Sequence, residues 1–234
     1  YTGKLWLGAP EIQLADWLEL APQWNPPKLY ARSKLDLWAD LTQRRISRVH
    51  SRLDIKQLSF RRPAQKKLFA FGTEPALFDR ISVESHWRRR ADGWDLDIPA
   101  IVFESRNQER LVSDIRVHAG QGRWQARAAA VDVSALAALN PALSRQLPKV
   151  HAWLRNADLS GRFSRLKAHG DTGRNAWTIS GRAEGLGMAA IGKSPGFQDV
   201  AGVFMADQSG GTFKFKPSEP LLVWPVSFGR NIPG

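Results

Sequence analysis

Residues 81–98 read ISVESHWRRRADGWDLDI, and they are enough to name the fold class. Ile81, Val83 and Trp87 alternate with Ser82, Glu84 and His86. After a short break Trp94, Leu96 and Ile98 alternate with Asp95 and Asp97. A period of two is how a strand reads when one face is buried and the other is wet. The ADG at 91–93 supplies turn chemistry between the two runs, so the stretch predicts a β-hairpin with one apolar face.

The pattern recurs outward from this hairpin. SDIRVHA carries Ile115 and Val117, RWQARA carries Trp124 and Ala126, and AWTISG carries Trp177 and Ile179. DVAGVFMA and TFKFK, the latter with Phe213 and Phe215, flank a further turn at QSGG 208–211. RNQE at 106–109, GQG at 120–122 and GDTGRN at 170–175 mark the other connections. The expectation is a mainly β fold built on an antiparallel meander. Two stretches break the rhythm and predict short amphipathic helices closing one side or end: ADWLELA at 15–21 and the segment 134–157. In the second, Leu136, Leu139, Leu143, Leu147, Val150 and Leu154 recur at helical spacing, with Pro148 dividing the segment. Residues 3–22 also align without gaps onto 122–141, with four identities in twenty positions. One segment, 1–234, is therefore expected, divisible into two tandem units of about 3–121 and 122–234 that stack side by side.

Composition narrows the chemistry. Of 234 residues none is cysteine, which excludes thiol catalysis, Cys–zinc sites and a disulfide framework. The net charge of +12 favours anionic partners without choosing among nucleic acid, phospholipid headgroups and acidic glycans. The start, YTGKLWLGAP, lacks the pattern of a signal peptide. No run approaches the ~18 apolar residues of a spanning helix. The chain opens inside a strand pattern and reads as an excised piece of a longer protein.

No catalytic constellation emerges. The five histidines His50, His86, His118, His151 and His169 show no ligand-like spacing and are expected as separate surface residues, with no metal site. GxSxG, P-loop and GxGxxG elements are absent, so neither cofactor nor enzymatic activity is expected. The enzyme class closest to the composition is a tryptophan-rich glycan hydrolase, for which Asp95, Asp97, Asp114 or Glu104 would supply the carboxylates. Basic clusters at 43–48, 60–67 and 86–90 suit a solvated surface, an anionic lipid surface or, beside Phe60, Phe69, Phe71 and Trp87, nucleic acid. The alternative to a lipid-related role is thus a basic, β-rich binding or scaffold module for nucleic acid or acidic glycan.

The order of segments carries more information than any one motif. ADGWDLDIPAIVFES is followed by LVSDIRVHAGQGRWQARAAAVDVSALAAL and then by PALSRQLPKVHAWLRNADLSGRFSRLKAH. The tail reads GLGMAAIGKSPGFQDVAGVFMADQSGGTFKFKPSE. This order resembles the YhdP branch of the AsmA-like proteins, most firmly over residues 80–220. NADLSG at 156–161 departs from the family's P-x-G before its strand. The resemblance implies a periplasmic protein, anchored to the inner membrane through segments outside this sequence, that carries phospholipid toward the outer membrane. Other envelope proteins become partners and nucleic acid does not. It also implies that the mainly β, antiparallel sheet is strongly twisted and partly curled, with a hydrophobic groove for acyl chains lined by Ile81, Val83, Trp87, Trp94, Leu96, Ile98, Ile115, Val117, Trp124, Ala126, Trp177, Ile179, Phe213 and Phe215. Arg88, Arg89 and Arg90 would meet headgroups at the rim.

Overall fold

A computed structural model of the chain describes residues 2–13, 30–59, 78–105, 108–138, 156–191, 195–216, 221–223 and 232–233. Within them the chain forms a single open sheet. Its long strands are β1 (Thr2–Gln13), β2 (Tyr30–Thr42), β3 (Arg45–Ser59), β4 (Phe78–Arg89), β5 (Trp94–Ser105), β6 (Gln108–Gly120) and β7 (Arg123–Asp132). A short helix, α1 (Val133–Ala138), follows, and then β8 (Ser160–Asp171), β9 (Ala176–Met188), β10 (Gly196–Asp207) and β11 (Gly210–Phe215). Two short strands, β12 (Leu221–Val223) and β13 (Ile232–Pro233), complete it. Strands β1 to β10 lie in chain order, each antiparallel to the next. β11 and β12 both pair with β10 along the same edge. The mainly β, antiparallel architecture read from the alternating runs is the one observed. The boundary between the two suggested units falls in the turn joining β6 to β7, and those strands are themselves paired.

The turns follow the chemistry of their residues. β2 and β3 are joined through Gln43 and Arg44, at φ 52° and 61°, and β6 and β7 through Gln121 and Gly122, at φ 50° and 75°. Two positive φ values in a two-residue loop give a twist that matches the flanking strands. At 171–176 the Asp171 carboxylate accepts from the Gly173 and Arg174 amides, at 2.9 and 3.1 Å.

Within the strands, Gln57, Asp114, Arg165, Gly185 and Asp199 also have positive φ. Register shifts between Ser164 and Lys167 and between Phe197 and Val200 bracket two of them. These β-bulges bend their strands and add right-handed twist.

The buried core lies beside the bulges. Leu58, Phe78, Ile81, Phe103, Val112, Val131 and Ala135 form one cluster, with Phe78 and Ala135 fully buried. Ala135 belongs to α1, which packs on β6 and β8. Asp132 caps this helix, its Oδ1 accepting from the Ser134 amide at 2.9 Å and the Ser134 hydroxyl at 2.5 Å. The helix expected at 15–21, the rest of the helical stretch at 139–155 and the basic cluster at 60–67 lie outside the described residues. Among the described residues no helix is long and apolar enough to cross a membrane.

Phe78→Ala should cost about 3–5 kcal/mol in urea unfolding, since its ring is fully enclosed and packs against Phe103 in a tilted arrangement with centroids 5.2 Å apart. Phe215→Ala, at a side chain 63% exposed, should cost a small fraction of that. Equal losses would mean that the core is misplaced.

Candidate functional site

Residues directly opposite in an antiparallel pair point to the same face, so the registers give the composition of each face. One line of partners runs Leu5, Ala39, Val49, Trp87, Leu96, Val117, Ala126, Ala168, Ile179, Ala206 and Gly211, one residue from each of β1 to β11. A second runs Ala9, Leu35, Leu53, Val83, Ile101, Val112, Val131, Phe163, Ala183, Gly202 and Phe215. Neither contains a polar side chain. A third, from Trp94 through Ala119, Trp124 and Gly170 to Trp177, lies on the same face.

The offset by one residue reverses the character. The adjoining line runs Trp6, Trp38, His50, His86, Asp97, Arg116, Arg127, Lys167, Ser180, Met205 and Thr212. The sheet therefore has one largely apolar face, on which the hydrogen-bonded Ser51–Ser85 pair lies between the two lines, and one largely charged face.

All fourteen residues expected to line a groove are on the apolar face. Trp87, Leu96, Val117, Ala126 and Ile179 are in the first line, Val83 and Phe215 in the second, and Trp94, Trp124 and Trp177 in the third. Ile81 pairs with Phe103, Ile98 with Ile115, and Phe213 with Phe204. The face is closed at one end and open at the other. In the second line Val112 and Val131 are buried under α1, whereas in the first only Ala39 is buried. Leu5 and Leu7 are exposed, and Trp87, Leu96 and Val117 are half-buried. Glycines let rings lie flat on this face: a Cβ on Gly170 would come within 2.6 Å of the Trp124 indole.

Alternation over 35–41 and 46–55 also places Leu35, Leu37, Val49, Leu53 and Ile55 on the apolar face. These were not among the expected lining residues, although the same period-two signal is present in LDLWADL and ISRVHSRLDI. Trp6 and Trp38 are on the charged face, 62% and 37% exposed.

The three arginines of HWRRR divide. Arg88 and Arg90 bind the Asp95 carboxylate on the charged face, at 3.2 and 2.5 Å. Arg89 is in register with Trp94, at the end of β4 and on the apolar side. The carboxylates considered for hydrolysis are engaged as well. Asp97 and Asp114 flank the Arg116 guanidinium at 3.3 and 2.9 Å, and Glu104 lies 3.9 Å from Arg80. His118 Nδ1 completes the Asp95 cluster at 2.8 Å. An open depression of about 660 Å³ surrounds it, lined also by Arg127, Lys167 and His169.

The His118 hydrogen bond, with help from Arg90 and Arg88, holds the Asp95 carboxyl down to about 2 against the opposing effect of desolvation. Glu84 is lowered for the same reason, chiefly by its hydrogen bond with His50. A folded-state pKa below the unfolded value of about 3.9 adds stability that is complete above that pH and lost as the pH falls toward 2. Asp95→Asn should therefore lower stability at neutral pH and flatten the decline between about pH 4 and pH 2, with the Glu84 contribution persisting. Urea midpoints measured across that range provide the check, and an unchanged slope would show that Asp95 is not the linked group.

Neither a curated protein nor a solved structure matches the chain. The family described as YhdP protein does match, over residues 1–233, a span that takes in every strand and both complete apolar lines. The chain belongs to the YhdP protein family.

Proposed function

We propose that this chain is a segment of a lipid-transport bridge of the bacterial envelope, sheltering phospholipid acyl chains against the apolar face of its sheet. The observation that carries the proposal is the pair of apolar lines crossing eleven strands without a polar interruption. With strands ~4.8 Å apart, ten intervals make a continuous apolar track of about 50 Å. Apolar burial and dispersion are non-directional, so an acyl chain can shift along such a surface without breaking a specific bond. A slide of this kind needs no nucleophile, base or cofactor, and the proposal is non-enzymatic. Membership of the YhdP family supports lipid as the occupant and, with it, the periplasm as the location. Anchoring to the inner membrane would come from segments outside this sequence.

In this reading the headgroup stays at the rim while the tails lie inside. Arg89 is the best placed of the three arginines to meet a phosphate, because Arg88 and Arg90 are turned to the other face by Asp95. The opposing reading, a basic module for nucleic acid or acidic glycan, would use the charged face and would weaken steeply as salt rises.

A photo-crosslinking amino acid placed at Leu96 or Val117 should capture phospholipid, whereas the same probe at Asp97 or Arg116 should not. Equal capture from both faces would reject the groove. Ile98→Asp should obstruct capture by the inner probes, since an unpaired carboxylate on an apolar surface costs several kcal/mol or must be protonated. Arg88→Ala should leave capture nearly unchanged and Arg89→Ala should reduce it modestly, as exposed charges act weakly through water.

A further inference from the structure

The charged face holds a cluster for which the lipid reading has no use. His50 on β3 and His86 on β4 are direct cross-strand partners, and Glu84 precedes His86 by two residues, which returns it to the same face. We propose that His50, Glu84 and His86 form a binding site for a divalent transition metal, with Zn²⁺ as the ion best suited and a fourth position left open to water.

The ligand atoms already converge. Glu84 Oε1 lies 2.8 Å from His50 Nε2 and 3.5 Å from His86 Nε2, and all three ligand atoms are within 4.8 Å of one another. A tetrahedral ion about 2.0–2.1 Å from nitrogen and oxygen ligands separates them by roughly 3.3–3.4 Å. Two edges of the triangle are therefore near their bound lengths, and the third, between the two histidine nitrogens, is no longer than 4.8 Å. Two imidazoles and a carboxylate suit Zn²⁺, Co²⁺, Ni²⁺ and Cu²⁺ and not the oxygen-seeking Mg²⁺ or Ca²⁺.

The surroundings hold one ring and leave the other room to move. His50 is stacked between Trp38, with centroids 4.9 Å apart, and His86, at 4.5 Å and an interplanar angle of 14°. An imidazole ligates through a lone pair in its own plane, and two nearly parallel rings cannot both aim at one ion. Ligation therefore turns the His86 ring out of the stack, and its side chain is 48% exposed. Arg52 opposes the site, approaching Glu84 at 3.6 Å and lying 5.8 Å above Trp38. An adjacent guanidinium weakens binding of a cation, so the site is exchangeable rather than a permanent structural centre. When filled, it cross-links β3 to β4 through residues 34 positions apart in the chain.

The experiment is a Zn²⁺ titration of the 234-residue chain by equilibrium dialysis, with Co²⁺ as a spectroscopic substitute. One ion per chain is expected, with the intense visible absorption of near-tetrahedral Co²⁺ that Zn²⁺ abolishes. His50→Gln, Glu84→Gln and His86→Gln should each weaken binding at least about tenfold, by analogy with lost outer-sphere partners. His118→Gln and His169→Gln should bind as the unaltered chain does. A measurement that needs no variant guards against misfolding: Zn²⁺ should protect His50 and His86, but not His118, from diethyl pyrocarbonate. Unsaturable binding, binding that survives loss of both His50 and His86, or equal modification with and without Zn²⁺ would each overturn the site.

Discussion

Cross-strand register is the constraint on which the rest of this structure depends. Leu96, Val117, Ala126 and Ala168 stand in line across four strands, and the next line holds Asp97, Arg116, Arg127 and Lys167. A slip of one residue in a single strand would exchange the two sets and turn a charge toward the apolar face. Because β2 to β9 each have a neighbour on both sides, such a slip would also misalign two ladders at once. Bulges at Arg165 and Asp199 oppose sliding further, since an extra residue in one strand fits its partner at one position only.

The two ends of the apolar face serve different needs. Under α1 the Phe78 cluster has the burial of an ordinary protein core. Away from it the first line stays half-exposed from Val49 to Ala206, where stability rests on ladder hydrogen bonds and cross-strand pairs. Each such pair contributes roughly 0.2–1 kcal/mol. The ion pairs of the charged face are mostly solvated, as in Arg80–Asp54 and Arg116–Asp114, and add little individually. If the apolar face receives a ligand as proposed, it forgoes packing there, and the small core at one end offsets that loss.

Much of this was legible in the sequence, and the remainder was hidden for identifiable reasons. Trp94, Leu96 and Ile98 announced their face by alternation, but Ile101 and Phe103 lie on that same face after an irregularity between Val83 and His86 in the β4–β5 register. The same happens in β6, where Val112 and Ile115 share a face on either side of Asp114, which has a φ of 49°. A strict period of two stops at a bulge, and Gln, Asp or Arg at such positions carries no sequence mark of the turn. The His50–Glu84–His86 cluster was invisible for another reason. Its members belong to separate strands, and only the register brings them within reach of one another.

The strand order has a further consequence for how the molecule comes into being. From β1 to β10 every partner is the next strand along the chain, with no strand threaded between earlier ones. Contacts are thus local in sequence, the arrangement in which loop closure costs least and pairing is fastest. A chain delivered end first can lay down each strand on the edge left by the one before it, with no need to wait for a distant segment. Among the described strands the unsatisfied ladders at any moment are then the growing edge and the outer edge of β1, so the exposure that invites misassociation does not widen as the sheet grows.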